Sequence, residues 1–408
     1  MLRDLILGVQ MLFVAFGALT LVPLLTGLDP SVALFTAGVG TLLFYFITRR
    51  EVPVFLGSSF AFIAPIAAAR DQWGIPVALG GLFAAGFLHM GMALVIRARG
   101  VGFIERLLPS VVVGPVIMNI GLALAPVAVD MSKQNWLLAL LSLATAIGLA
   151  VYGRGMLRLI PILGAAVVGY GAALLAGLVD FAPVREAAWL AVPAFTFPAF
   201  RWEAMLFMVP VAIAPMIEHI GDIYAIGKVA GKDFAARPGL HRTMFSDGLA
   251  TSAAALFGGP PNTTYSEVTG ALALIKVYRP HLMAIGAVTA ILLAFVAKLG
   301  ALLKTIPAPV MGGILILLFG MIAAVGVRTL VTARPDLGAT RNLTIIAVVL
   351  IVGIGGATLE AGSFRLGGIG LSGVVGVLLN LLLPGAPREA TASHVVDGPE
   401  QADEFSDL

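Results

Sequence analysis

Gly258-Gly-Pro-Pro-Asn-Thr-Thr-Tyr-Ser-Glu267 breaks an otherwise apolar chain with ten residues that a lipid-facing helix cannot accommodate. The apolar run it opens, 262–276, falls short of the roughly 20 residues a bilayer span needs. Polar groups at that depth must face protein or a water-filled cavity. A second short run, 54–69, overlaps Val52-Pro-Val-Phe-Leu-Gly-Ser-Ser59 and is interrupted by the same residue types. Each break frees backbone N–H groups at the start of a half-helix. Two such starts would aim donors and positive dipole ends at one place near the membrane midplane.

Working outward, the whole chain reads as membrane-embedded. Its 408 residues are 59% apolar and 12% charged, against roughly 45–50% and 25% for a soluble domain. A mean hydropathy of +1.02 leaves no stretch for a soluble domain of ordinary composition. The absence of Cys removes disulfides, thiolate metal sites and Cys nucleophiles. Apolar runs recur at 4–26, 32–48, 54–69, 74–96, 110–129, 136–152, 157–179, 204–225, 239–258, 262–276, 282–303, 307–327, 342–358 and 366–384, which makes fourteen. Residues 4–26 read as a retained first span rather than a cleaved signal. With the N-terminus inside, 18 of the 25 Lys and Arg fall on the cytoplasmic side and 7 outside, as the positive-inside rule requires. The basic residues thus report topology, and no nucleic-acid partner is expected.

Fourteen spans divide at the polar stretch 180–203 into two sevens, and an odd repeat used twice comes out inverted. The interrupted runs are the third of each half, the pairing that marks a transporter's central site. The expectation is an all-α polytopic membrane protein of the inner membrane, fourteen spans in two inverted repeats, both termini cytoplasmic. Residues 387–408 read as a solvated acidic tail.

Four acids lie inside apolar runs: Glu218, Asp222, Asp247 and Glu267. An ionisable group there costs at least about 2.5–3.5 kcal/mol, so a functional or tightly paired role is the default. No Lys or Arg stands in mid-span to neutralise them, which makes them candidate proton carriers. Glu218 and Asp222, one turn apart, share a helix face. The competing reading is that either acid bonds the backbone of a broken neighbouring helix, and for Asp247 this is at least as good as a transport role. His219 points away from both acids and reads as a packing residue. Glu218-His219 is in the wrong order for a His-Glu-x-x-His zinc helix, and no nucleophile, base and orienter set suggests an enzyme. Carboxylate acceptors beside the freed donors of Gly57, Ser58, Ser59, Phe60 and the 262–267 run complement a small planar ligand with ring N–H and carbonyl groups. Gly114, Gly121, Gly312 and Gly313 are expected to permit close approach along a smooth sliding face.

The strings Phe55-Leu-Gly-Ser-Ser-Phe-Ala-Phe-Ile-Ala-Pro65, Glu218-His-Ile-Gly221, Pro238-Gly-Leu-His-Arg242, Asn262-Thr-Thr-Tyr-Ser-Glu267 and Ile306-Pro-Ala-Pro-Val-Met-Gly-Gly313 resemble the nucleobase and ascorbate transporter family, nearest its uracil permease branch. The resemblance implies a core domain of spans 1–4 and 8–11 (residues 1–108 and 204–305) and a gate domain of spans 5–7 and 12–14 (109–203 and 306–386). It also implies short β-strands in spans 3 and 10. By position it implies substrate contacts from Glu218 and Glu267 and backbone donors from Phe60 and Ser266, with Ser59 and Tyr265 adjacent. Asp222 stands where the uracil branch usually has His, and Val268 and Thr269 follow Glu267 where Asn is usual. The reading is a proton-coupled nucleobase importer, uracil first and xanthine or another oxopurine second, with Glu218, Asp222 and Asp247 as the proton-coupling candidates. An anion exchanger of the sulfate permease type is the alternative from another class. Partners are the nucleobase, a proton and the lipid bilayer; two subunits would be usual for such a family; no cofactor or metal is expected.

Overall fold

The computed structural model describes residues 2–361 and 364–385, so the acidic tail lies outside the described residues. Long runs of Leu, Val, Ile, Ala and Gly form helices wherever no break intervenes. The first half contains α1 (Leu2–Thr26), α2 (Pro30–Ile47), α3 (Ile63–Trp73), α4 (Ile75–Arg99), α5 (Val101–Leu107), α6 (Ser110–Ala123), α7 (Ala125–Lys133), α8 (Trp136–Tyr152) and α9 (Pro161–Leu175). A short α10 (Ala182–Glu186) precedes the second half. That half contains α11 (Trp202–Met208), α12 (Ile213–Ala230), α13 (Leu240–Phe257), α14 (Ser266–Ile275), α15 (His281–Ala294), α16 (Ala297–Lys304), α17 (Ala308–Ala333), α18 (Thr340–Ile354) and α19 (Gly368–Leu382). Among the described residues, six helical stretches are long and apolar enough to cross a bilayer and six shorter apolar helices accompany them.

Both interrupted runs are strand–helix units. β1 (Leu56–Ser58) leads through a 3-10 turn at Phe60–Phe62 into α3, and β2 (Asn262–Thr264) leads into α14. Gly258, at φ 90°, closes α13 in the left-handed region that favours glycine and turns the chain toward β2. A second hairpin, β3 (Thr358–Ala361) with β4 (Phe364–Gly367), precedes α19 and was not expected from hydropathy.

The packing is two-fold. α2 packs on α15 as α13 packs on α4; α8 on α9 as α18 on α19; α17 on α8 as α6 on α18; and α1 on α9 as α12 on α19. Exchanging α1, α2, α4, α6, α8 and α9 with α12, α13, α15, α17, α18 and α19 maps this pattern onto itself. β1 and β2 pair with each other antiparallel, as a two-fold axis through their sheet demands.

Two expectations need correction. The dividing stretch 180–203 is no polar loop: from Ala187 to Arg201 it is an extended strap. Its Ala191 N–H donates to the Phe295 carbonyl at 3.0 Å, and its Ala199 N–H donates to the Pro76 carbonyl at 2.8 Å. Phe195 joins Phe35 of α2 and Phe257 of α13 edge to face, which anchors the strap there, while Trp189, Leu190, Val192 and Phe197 remain exposed. The glycines expected along a sliding face sit instead inside one helix group. A Cβ on Gly114 or Gly121 would strike α17, one on Gly312 would strike Ser132 of α7, and one on Gly313 would strike Ala139 of α8.

Candidate functional site

Three residue pairs fix the centre of the molecule: Leu56 opposite Thr264, Gly57 opposite Thr263 and Ser58 opposite Asn262. Backbone bonds extend this ladder at both ends, Ser59 N–H to Pro261 O at 2.8 Å and Tyr265 N–H to Phe55 O at 3.2 Å. So short a ladder is held by hydroxyls from the neighbouring helices. Thr41 of α2 accepts from Leu56 N–H at 2.9 Å and donates to its carbonyl at 3.3 Å. Thr251 of α13, at the two-fold related place, donates to Asn262 O at 2.9 Å. Tyr265 folds its ring over Gly57, where a Cβ would come within 2.5 Å of it, and donates its hydroxyl to Ser58 O at 3.0 Å. Gly57 is therefore required by a close approach of an aromatic ring.

Because the strands are antiparallel, the two half-helix starts leave from opposite ends of the ladder, one the two-fold image of the other. Phe60 opens the 3-10 turn, and Ser266 and Glu267 open α14, positions whose N–H groups have no intrahelical acceptor. The Glu267 carboxylate accepts from its own backbone N–H. A cavity of about 320 Å³ begins at Ser266 and Glu267 and runs between Val14 of α1, Ile162 of α9 and Leu318 of α17 to Arg158 and Arg328. Of the expected site residues, Ser266 and Glu267 line this cavity. Glu218, Ser59, Phe60 and Tyr265 do not. Phe60 packs edge-on against Phe319 of α17 at 6.1 Å between ring centres, and Ser59 is buried with its hydroxyl unbonded.

The acids on α12 lie close behind. Glu218 is within electrostatic reach of Asp222, Glu267 and Asp247. Asp222 accepts a 2.6 Å hydrogen bond from the Thr264 hydroxyl, tying α12 to β2. Arg328 also acts on Asp222 electrostatically, so one cationic group faces the acids from α17. Asp247 is fully buried between two imidazoles, 3.5 Å from His89 Nε2 and 3.7 Å from His219 Nδ1. The sequence pattern assigns His219 to packing, counts Arg158 and Arg328 only among the basic residues that report topology, and gives His89 no role. The available signal was Arg328 and His89 standing alone within long apolar runs.

A family model described as "Permease family" matches residues 2–362. The chain is 50% identical over 397 residues to the probable uracil permease of Haemophilus influenzae, covering 95% of this chain and 96% of that one. It is 49% identical over 400 residues to the uracil permease of Bacillus caldolyticus, covering 94% and 93%. With the uracil permease of Escherichia coli K12 the identity is 38% over 393 residues, covering 94% and 91%. Among solved structures, SLC26A9 is similar at TM-score 0.68 and 13% identity, covering 93% of this chain and 64% of that one. The transmembrane domain of a cyanobacterium bicarbonate transporter, BicA, is similar at TM-score 0.62 and 17% identity, covering 93% and 96%. At those identities the likeness is one of fold.

Proposed function

Because this chain belongs to the permease family, as an integral multi-pass membrane protein whose relatives at 38–50% identity are named uracil permeases, we propose that it imports uracil by proton-coupled alternating access. The observation that carries this is the cavity reaching from Ser266 and Glu267 to Arg158 and Arg328. A uracil ring placed at its inner end meets the Glu267 carboxylate as acceptor for a ring N–H. The backbone donors at the start of α14 meet a ring carbonyl. Apolar walls from α1, α9 and α17 exclude water from the ring faces. Phe60 and Glu218, from the two-fold related side, complete the contacts when the helix groups close on the ligand.

In this reading fourteen segments cross the inner membrane and both ends are cytoplasmic. Residues 1–108 and 204–305 are a core that carries the site, and 109–203 and 306–386 are a gate against which it moves. Basic residues concentrate on the cytoplasmic side, so the Arg158 and Arg328 end of the cavity is its inner mouth. Protons enter through Glu218, Asp222 and Asp247. Two chains pair as a dimer. The reading would be tested by a thermal-shift panel on the purified protein, since a ligand that binds only the folded state raises its melting temperature by mass action. Uracil should stabilise most, xanthine less, and sulfate and bicarbonate not at all. Stabilisation by the anions alone would move the protein to the anion-exchanger alternative, against which the carboxylate in the cavity argues.

A further inference from the structure

His89 on α4, His219 on α12 and Asp247 on α13 are at most 1% exposed and lie outside the cavity lining. Glycine brings them together. α4 and α13 cross at Gly86 and Gly248, where a Cβ on Gly248 would lie 2.5 Å from the Gly86 carbonyl oxygen and 2.7 Å from His89 Cβ. At that separation the His89 ring faces one oxygen of Asp247 at 3.5 Å and His219 faces the other at 3.7 Å. Neither Asp247 oxygen and neither His219 nitrogen makes a hydrogen bond. The backbone neighbour of His89 is the Ala85 carbonyl one turn back. Among the described residues no three such side chains converge closely enough to hold a metal ion.

Three titratable groups in so apolar a place are stable only if their charges cancel. One proton shared among them achieves this in every arrangement. It sits on the carboxyl between two neutral rings, or on either ring beside a carboxylate. Loss of that proton leaves one uncompensated negative charge in the helix packing. The groups that sense this charge are identifiable. Asp247 acts electrostatically on Glu218, Asp222 acts on Asp247, and the two imidazoles act on each other. From α2 the uncharged edge of Phe44 meets the His219 ring, at 6.3 Å between ring centres.

We propose that His89, Asp247 and His219 form a proton-binding site, separate from the nucleobase cavity, which holds one shared proton and passes it to, and takes it back from, the carboxylate of Glu218, the residue before His219 on α12. It rests on the proton-coupled reading above and adds two histidines that the coupling candidates did not include. A site of this kind lets the core change its proton content without opening the nucleobase contacts to water.

The test uses the full-length purified chain with 15N-labelled imidazoles, the two resonances assigned with His89→Gln and His219→Gln. In the wild type the His89 and His219 signals should change together across the pH range, and Asp247→Asn should uncouple them. Two rings that titrate independently, or that ignore Asp247→Asn, would overturn the proposal. A pH-indicator dye then counts protons exchanged on uracil binding. Asp247→Asn should lose most of the exchange seen in wild type and Asp247→Glu should recover it, whereas an unchanged count in Asp247→Asn would again overturn the site. A wild type that binds uracil without exchanging any proton would contradict the coupling reading, and the imidazole spectra would still decide the triad.

Discussion

Glu267, half-buried, differs from Glu218, Asp222 and Asp247 in being both at the start of a half-helix and on the wall of the cavity. Its carboxylate accepts from its own backbone N–H at the start of α14 and, in the proposed reading, accepts a ring N–H of the ligand across the cavity. Glu267→Gln keeps the shape and removes the charge. Hydrogen bonds to charged groups contribute about 1.5–3 kcal/mol, so uracil affinity should fall about tenfold or more, as equilibrium binding of labelled uracil would measure. Affinity equal to wild type would remove Glu267 from the site. Asp222 has a different task, since its carboxylate is held by Thr264. Thr264→Val leaves that acid without its donor and should lower stability by about 1–3 kcal/mol, read as a fall in melting temperature. Asp222→Asn removes a negative charge one turn from Glu218, so proton loss there becomes easier and the pH midpoint of uptake should move downward. An unmoved midpoint would place the coupling elsewhere. Glu267 and Ser266 were legible in the sequence because a polar run stands out inside an apolar one. His89 and Arg328 were not, because a single polar residue in a span acquires meaning only from partners far along the chain.

At the scale of elements, the interrupted spans were legible and their register was not. Gly, Pro, Ser and Thr announce that residues 54–69 and 262–276 cannot be full helices. The pairing of Gly57 with Thr263 depends on side chains from α2 and α13 that no local pattern encodes. The strap and the β3–β4 hairpin were not legible for other reasons: the charges at the two ends of 180–203 make it read as a polar divide although 187–200 is apolar, and β3 and β4 are only four residues each. Tyr265 decides how the central ladder is held. Its hydroxyl is occupied by the Ser58 carbonyl, so Tyr265→Phe should cost about 0.5–1.5 kcal/mol of stability and change uracil affinity by no more than a few-fold. A large affinity loss at unchanged melting temperature would instead put that hydroxyl on the ligand.

At the scale of the whole molecule, α1 meets α9, and α19 meets the 3-10 turn at Val209–Ala212, through close backbone approaches. A Cβ on Gly17 of α1 would strike Ile162 of α9, and one on Gly370 of α19 would lie 3.2 Å from Val211 Cα. In the proposed core-and-gate reading, these contacts, rather than those of Gly312 and Gly313, belong to the surface across which the two groups move. The chain has no Cys, so Val211→Cys with Gly370→Cys introduces one defined cross-link without background. Oxidation should halt uptake while equilibrium uracil binding persists, and a reductant should restore uptake; uptake that continues in the fully cross-linked protein would place the moving surface elsewhere. The central claim, a uracil site at Glu267 driven by protons, is tested most directly by uptake of labelled uracil into proteoliposomes with and without an inward proton gradient. The account predicts accumulation that collapses with a protonophore, is competed by unlabelled uracil and is lost in Glu267→Gln. Accumulation indifferent to the gradient and to Glu267→Gln would contradict it.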